Sequence, residues 1–187
     1  MRVVGLIILL QAFSAWGAQD GYINLFGGWA AHNQDSFADS NTRPTGLSYG
    51  AGIGRRIGFY EFELNASQGK LTSDIEHDGE SNTVVQEQFQ VTLALNFYLL
   101  RHLYARMGYA ITSLEQTTET KVTGASGEGL VKEYGLEDVK SDGLVLGGGW
   151  VFGDFSKVKF YVQYDYYMMP DIKATQHQMN AGLRWHF

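Results

Sequence analysis

His177-Gln178-Met179-Asn180-Ala181-Gly182-Leu183-Arg184-Trp185-His186-Phe187 alternates without a break. Its odd positions are His177, Met179, Ala181, Leu183, Trp185 and Phe187. Its even positions are Gln178, Asn180, Gly182, Arg184 and His186. Strict period two marks a strand with one apolar and one polar face. The ends of soluble domains usually fray, whereas a strand in lipid must pair all its backbone groups, because no water is there to satisfy them. The stretch therefore predicts the closing strand of a transmembrane barrel.

Seven earlier segments share the two-faced pattern: Tyr22–Ala31, Leu47–Arg55, Phe59–Ser67, Val85–Phe97, Leu103–Thr112, Gly143–Phe152 and Val158–Met168. In the second, Leu47, Tyr49, Ala51 and Ile53 alternate with Ser48, Gly50, Gly52 and Gly54. The first is the least clear, because Tyr22 and Phe26 fall on its polar side. Each segment approximates the roughly 9–11 residues of a tilted membrane strand. Short links (Arg55–Gly58, Leu99–His102, Asp154–Lys157) alternate with longer ones (His32–Gly46, Gln68–Val84, Ser113–Asp142, Met169–Thr175). That is the expected alternation of periplasmic turns and extracellular loops. The prediction is an all-β, eight-stranded antiparallel up-and-down transmembrane β-barrel over residues 19–187, with both termini on the periplasmic side.

Composition agrees. Charged residues make up 18% of the chain, below the roughly 25% of soluble domains. Glycine is abundant (23 residues) and proline scarce (2), as suits a curved sheet in which proline would remove ladder donors. A mean hydropathy of -0.18 is compatible with a barrel that is apolar on one face only. The absence of cysteine excludes disulfides, thiolate metal sites and a cysteine nucleophile. A net charge of -6 without basic clusters argues against nucleic acid as a partner.

Residues 1–18 read as a secretory signal peptide: Arg2, the apolar run Val3–Leu10, then small residues around Ala15-Trp16-Gly17-Ala18. The apolar run is far shorter than the roughly 20 residues of a spanning helix. Cleavage is expected after Gly17 or Ala18.

The polar faces carry Glu61, Glu63, Arg106, Lys159, Asp165 and Arg184, three acids against three bases. A soluble barrel of lipocalin type would turn its apolar face inward. Here the apolar face is wide and aromatic, so the charges are expected inside a narrow lumen, as a paired network. A gated polar path for ions or small solutes through the same lumen is the alternative. Trp29, Tyr49, Tyr60, Phe97, Tyr98, Tyr109, Trp150, Phe152, Tyr164, Tyr166, Trp185 and Phe187 are expected to form two interfacial girdles.

With this pattern the chain resembles the OmpA/OmpX-type eight-stranded outer-membrane barrels over residues 20–187. The most specific part is Leu183-x-Trp185-x-Phe187, similar to the assembly signal such proteins present to the outer-membrane insertion machinery. The glycine-rich Gly50-Ala51-Gly52-Ile53-Gly54 is a weaker likeness. The resemblance implies a monomer in the outer membrane of a Gram-negative bacterium, surrounded by lipid and lipopolysaccharide. It implies nothing about peptidoglycan binding.

The longer links are acidic. Gln68–Val84 carries Asp74, Glu76, Asp78 and Glu80 against Lys70. The spacing of these acids is similar to a calcium loop, but the bidentate glutamate and the flanking helices are missing. Ser113–Asp142 is longer than connection requires and is a candidate for presentation to a surface partner. Some barrels of this architecture modify lipid A, and His177-x-Met179-Asn180 is similar to the His-x-Ser-Asn motif of lipid A deacylases. Met179 stands at the nucleophile position and cannot attack an ester. The other histidines (His32, His77, His102 and His186) have no metal-ligand spacing. The sequence thus predicts a non-enzymatic barrel without cofactor, catalytic residue or metal, with an envelope-structural or surface-interaction role. A small pore is the second reading and a lipid A-modifying enzyme the third.

Overall fold

A backbone in lipid has only its neighbours to bond, and alternating side chains tell each strand which face to turn outward. A computed structural model of the chain describes residues 21–34, 43–77, 80–123, 129–135, 139–153 and 157–187. The predicted signal peptide, residues 1–18, lies outside them. The described residues form β1 (Gly21–Gln34), β2 (Thr45–Ile57), β3 (Tyr60–His77), β4 (Glu80–Tyr98), β5 (Leu103–Thr123), β6 (Gly129–Gly135), β7 (Val139–Phe152), β8 (Val158–Met169) and β9 (Ala174–His186).

All pairings are antiparallel. Each strand from β1 to β5 pairs with the next, β5 with β7, β7 with β8, β8 with β9, and β9 with β1. Eight strands therefore close a ring, and β6 stands outside it, paired only with the end of β5. The closure runs in unbroken register from Tyr22↔His186 to Gln34↔Ala174. It is the stretch His177–Phe187, as the closing strand, that removes the sheet's edge.

The predicted faces are realised. Leu47 is 72% exposed and its neighbour Ser48 is 2%. Outside, Leu25, Tyr49, Phe62, Leu93, Met107, Leu146, Phe160 and Leu183 form a continuous apolar surface. Inside, Asn24, Glu61, Gln90, Arg106, Gln163 and Arg184 are buried. Ten of the twelve expected girdle aromatics are exposed, and Tyr166 is half-buried. Tyr98 corrects the expectation: it is buried and bonded to Glu61. Phe97 and Tyr98 are adjacent, so they cannot share a face, and Phe97 takes the outer one.

Two long links also need correcting. Residues 68–84 belong largely to the β3–β4 hairpin, with register continuing from Gln68↔Phe89 to His77↔Glu80. Within 113–142, β5 continues to Thr123 and pairs with β6. Of the short links, Leu99–His102 joins β4 to β5 as expected, and Asp154–Lys157 lies largely outside the described residues. The first is shorter than expected, because β2 runs on to Ile57 and Gly58 turns it into β3 with a φ of 63°, where glycine is favoured. A 3-10 turn, Pro170–Ile172, joins β8 to β9, closed by Lys173 in the left-handed region at φ 47°.

Candidate functional site

The barrel interior is where the sequence concentrates chemistry that a membrane protein would otherwise avoid. Glu63 on β3 receives four donors. Arg106 Nη1 (2.6 Å) and Asn65 Nδ2 (2.6 Å) donate to Oε1; Tyr22 Oη (2.6 Å) and Arg184 Nη2 (3.0 Å) donate to Oε2. Glu61 receives Asn96 Nδ2 (2.7 Å) and Arg184 Nη1 (2.8 Å) on Oε1, and Tyr98 Oη (2.9 Å) on Oε2. Arg106 Nη1 also reaches Asn96 Oδ1 at 3.0 Å. Its Nε lies 3.2 Å from Asp165 Oδ1, an ion-pair contact lacking the alignment of a hydrogen bond. Asp165 Oδ2 accepts from Gln163 Nε2 at 2.6 Å.

Arg184 spans the bore. From β9 its Nη1 donates to Tyr98 on β4 at 3.1 Å, and β4 lies diametrically opposite in the ring. Its guanidinium also lies over the rings of Tyr161 and Tyr22, 4.7 and 4.8 Å from their centroids. Buried charge survives only when paired and bonded, and every carboxylate here meets an arginine.

These contacts depend on glycine. Tyr22, Gly54 and Glu63 are successive register partners on β1, β2 and β3. The tyrosine crosses the glycine to reach the glutamate, and a Cβ on Gly54 would strike its ring. Asn24 crosses Gly52 to Asn65 (3.1 Å), Tyr104 crosses Gly149 to Gln163 (2.7 Å), and Arg106 crosses Gly147 to Asp165. The glycine-rich β2 and β7 are thus low sills over which alternate strands bond. The glycine run was visible in the sequence, but its purpose was not. The tyrosines and amides (Tyr22, Tyr98, Tyr104, Asn65, Asn96, Gln163) were missed as network members, although inward parity alone marks most of them.

Lys159, the sixth charge expected in the lumen, lies at its mouth. It is half-buried and lines a cavity of about 80 Å³ at the mouth beside the termini, together with Arg56, Arg101, His102, Arg184, His186 and Glu61. At the far rim a larger cavity, about 620 Å³, opens beside the 3-10 turn between Tyr109, Leu144, Met168 and Lys173. Two acids edge it, and the hydrogen bond that a protonated Asp142 can donate to Asp171 raises the Asp142 carboxyl above its ordinary pKa.

His177 and Asn180 do not meet. His177 is half-buried on the outward parity, with Nδ1 2.6 Å from Tyr164 Oη; Asn180 is buried on the inward one. Leu183, Trp185 and Phe187 all lie on the exposed outer face.

Neither the protein-family models nor the curated proteins compared with the chain match it. Among solved structures the chain is similar to Neisserial surface protein A, with a TM-score of 0.52, 13% identity and coverage of 91% of this chain and 99% of that one. It is also similar to Ail, the attachment invasion locus protein of Yersinia pestis (TM-score 0.49, 16% identity, 90% and 100% covered). The N-terminal β-barrel domain of Pseudomonas aeruginosa OprF follows (TM-score 0.42, 12% identity, 90% and 99% covered). At these identities the likeness is one of fold: the eight-stranded outer-membrane barrel. With that fold and its apolar exterior, the chain is an integral outer-membrane β-barrel protein.

Proposed function

We propose that the chain is a non-enzymatic surface-interaction protein: a barrel closed by its own interior charges that carries a sheet above the outer face. The observation that carries this reading is the length of β3, β4 and β5. They run 18, 19 and 21 residues, while the other ring strands run 12 to 14. β3 continues from Thr72, where its pairing with β2 ends, to His77. Beyond Ala66 its outward side chains turn polar: Gln68, Lys70, Thr72 and Asp74 are exposed. Lipid does not favour such a face, and water does. Both termini then lie in the periplasm, and the insertion machinery would meet the Leu183, Trp185 and Phe187 face.

The hairpin between β3 and β4 carries Asp74, Glu76, Asp78 and Glu80 in sequence, so a basic partner is the complementary one. Met179 at the nucleophile position, and the opposite faces taken by His177 and Asn180, support the absence of lipid A chemistry.

The test is retention on immobilised polylysine of the protein in nonionic detergent, beside a variant with residues 73–84 replaced by Asn-Gly, a favoured two-residue hairpin turn. The full chain should be retained and released by salt, and the shortened one should elute early. Equal retention of two folded proteins would overturn the reading.

A further inference from the structure

The cavity at the far rim lies where the barrel wall steps down. β7 pairs with β5 from its first residue, Val139, but with β8 only from Leu144. β8 stops at Met169, because Pro170 has no N–H to carry the ladder further. The chain then returns through the 3-10 turn into β9. Val139–Asp142 is thus left, among the described residues, with no strand along its second edge. An unpaired edge presents a row of main-chain donors and acceptors, which another strand can satisfy. The outward side chains of β7 change here from Leu146 and Leu144 to Asp142 and Lys140, so this edge stands above the apolar band.

The cavity opens at the foot of the edge. Gly143 and Leu144 of β7, Met168 and Met169 of β8 and Pro170 of the turn line it. Its volume of about 620 Å³ leaves room for a long side chain and the main chain that carries it. Asp142 and Asp171 stand on its rim against Lys173, and the two carboxyls are close enough to share a proton. A cation between them would take that proton's place. An apolar floor below paired carboxyls complements a side chain with an apolar stem and a positive tip, the build of lysine and arginine.

We propose that the open edge of β7 takes an extended strand of a partner protein by main-chain hydrogen bonds, with one lysine or arginine of that strand seated in the cavity. The basic partner is the one proposed above, on which this site rests, and the edge adds the conformation in which it binds.

The experiment uses the full chain in nonionic detergent with isotope-labelled methionine methyl groups. Met168 reports on the cavity, and Met107, exposed on the outer wall, serves as the reference. The probe is a short peptide of alternating lysine and valine. Its control is the same peptide with every amide N-methylated, which keeps the charges and removes the donors. The first should move the Met168 resonance saturably, and the second should bind about tenfold more weakly, the loss of two main-chain hydrogen bonds. Asp142→Asn combined with Asp171→Asn, checked for folding by heat-modifiable gel migration, should weaken the first peptide about tenfold. Equal affinity of the two peptides overturns the proposal, as does an undiminished response in the folded double variant. If short-chain phosphatidylglycerol moves Met168 and the peptide does not, the cavity belongs to lipid and the proposal falls. With two acids against one lysine, the site adds little to retention on polylysine. The variant with residues 73–84 replaced should therefore lose retention and still answer the peptide at Met168, which separates failure of this site from failure of the acidic hairpin.

Discussion

Arg106 carries more of the interior than its single charge suggests, because it is the ion-pair partner of both Glu63 and Asp165. Removing one member of a buried ionic set leaves the others uncompensated, at a cost of about 3–5 kcal/mol. Arg106→Ala should lower the urea unfolding free energy by that amount. Lys70→Ala, which breaks the exposed 3.5 Å pair with Glu87, should change it by no more than about 1 kcal/mol. Comparable losses in the two variants would mean that the interior ions are poorly desolvated. His32 supplies a pH-dependent counterpart. It is buried at the far rim, its Nδ1 donates to Gln86 Oε1 at 2.9 Å, and burial holds its pKa below the ordinary 6.5. The unfolded chain therefore binds this proton more readily than the folded one. The stability of the neutral form is complete above about pH 6.5 and declines as the pH falls below that value. The urea midpoint should drop between about pH 8 and about pH 5 more steeply in the native chain than in His32→Gln. Parallel profiles would remove His32 as the cause.

At the scale of the strand, glycine placement decides what can meet inside. Gly54→Val should push its branched side chain into the Tyr22 ring, costing about 1–3 kcal/mol. Gly27→Ala is the control: a Cβ there meets nothing closer than Ser48 O at 3.8 Å, and its unfolding midpoint should not fall. If both variants unfold alike, the sills are not steric. The same scale shows what the sequence could disclose. Period two was legible wherever one face met lipid and the other did not, as in Phe89-Gln90-Val91-Thr92-Leu93. It faded in Gln68–Asp74, where outward Gln68, Lys70 and Thr72 alternate with inward Gly69, Leu71 and Ser73. An outward face that has turned polar hides a strand that is fully paired, so a hairpin read as a loop. The interior charges were legible because alternation sets their side. Their partners were not, because Arg184 and Tyr98, or Tyr22 and Glu63, are brought together by closure across strands that no local pattern links.

At the scale of the molecule, the question is whether a ring of eight strands leaves a passage. Such a barrel has an interior that side chains can just fill. Here six ring strands (β1, β3, β4, β5, β8 and β9) send bonded groups to one level, and Arg184 reaches the opposite wall. Water and ions would have to displace hydrogen bonds to buried charges, whose loss costs more than bonds between neutral groups. Reconstituted in a planar bilayer, the chain should therefore show no steady conductance. Arg106→Ala should weaken the fold without opening a channel, because Arg184, Glu61, Tyr98 and Tyr104 still cross the lumen beside it. The double variant Arg106→Ala with Arg184→Ala removes both interior arginines. Its carboxylates would be left without counter-charge, and failure to reach the heat-modifiable folded form is the expected result. A stable, conducting native barrel would instead mean that the network opens as a gate, and would favour the small pore over the closed support.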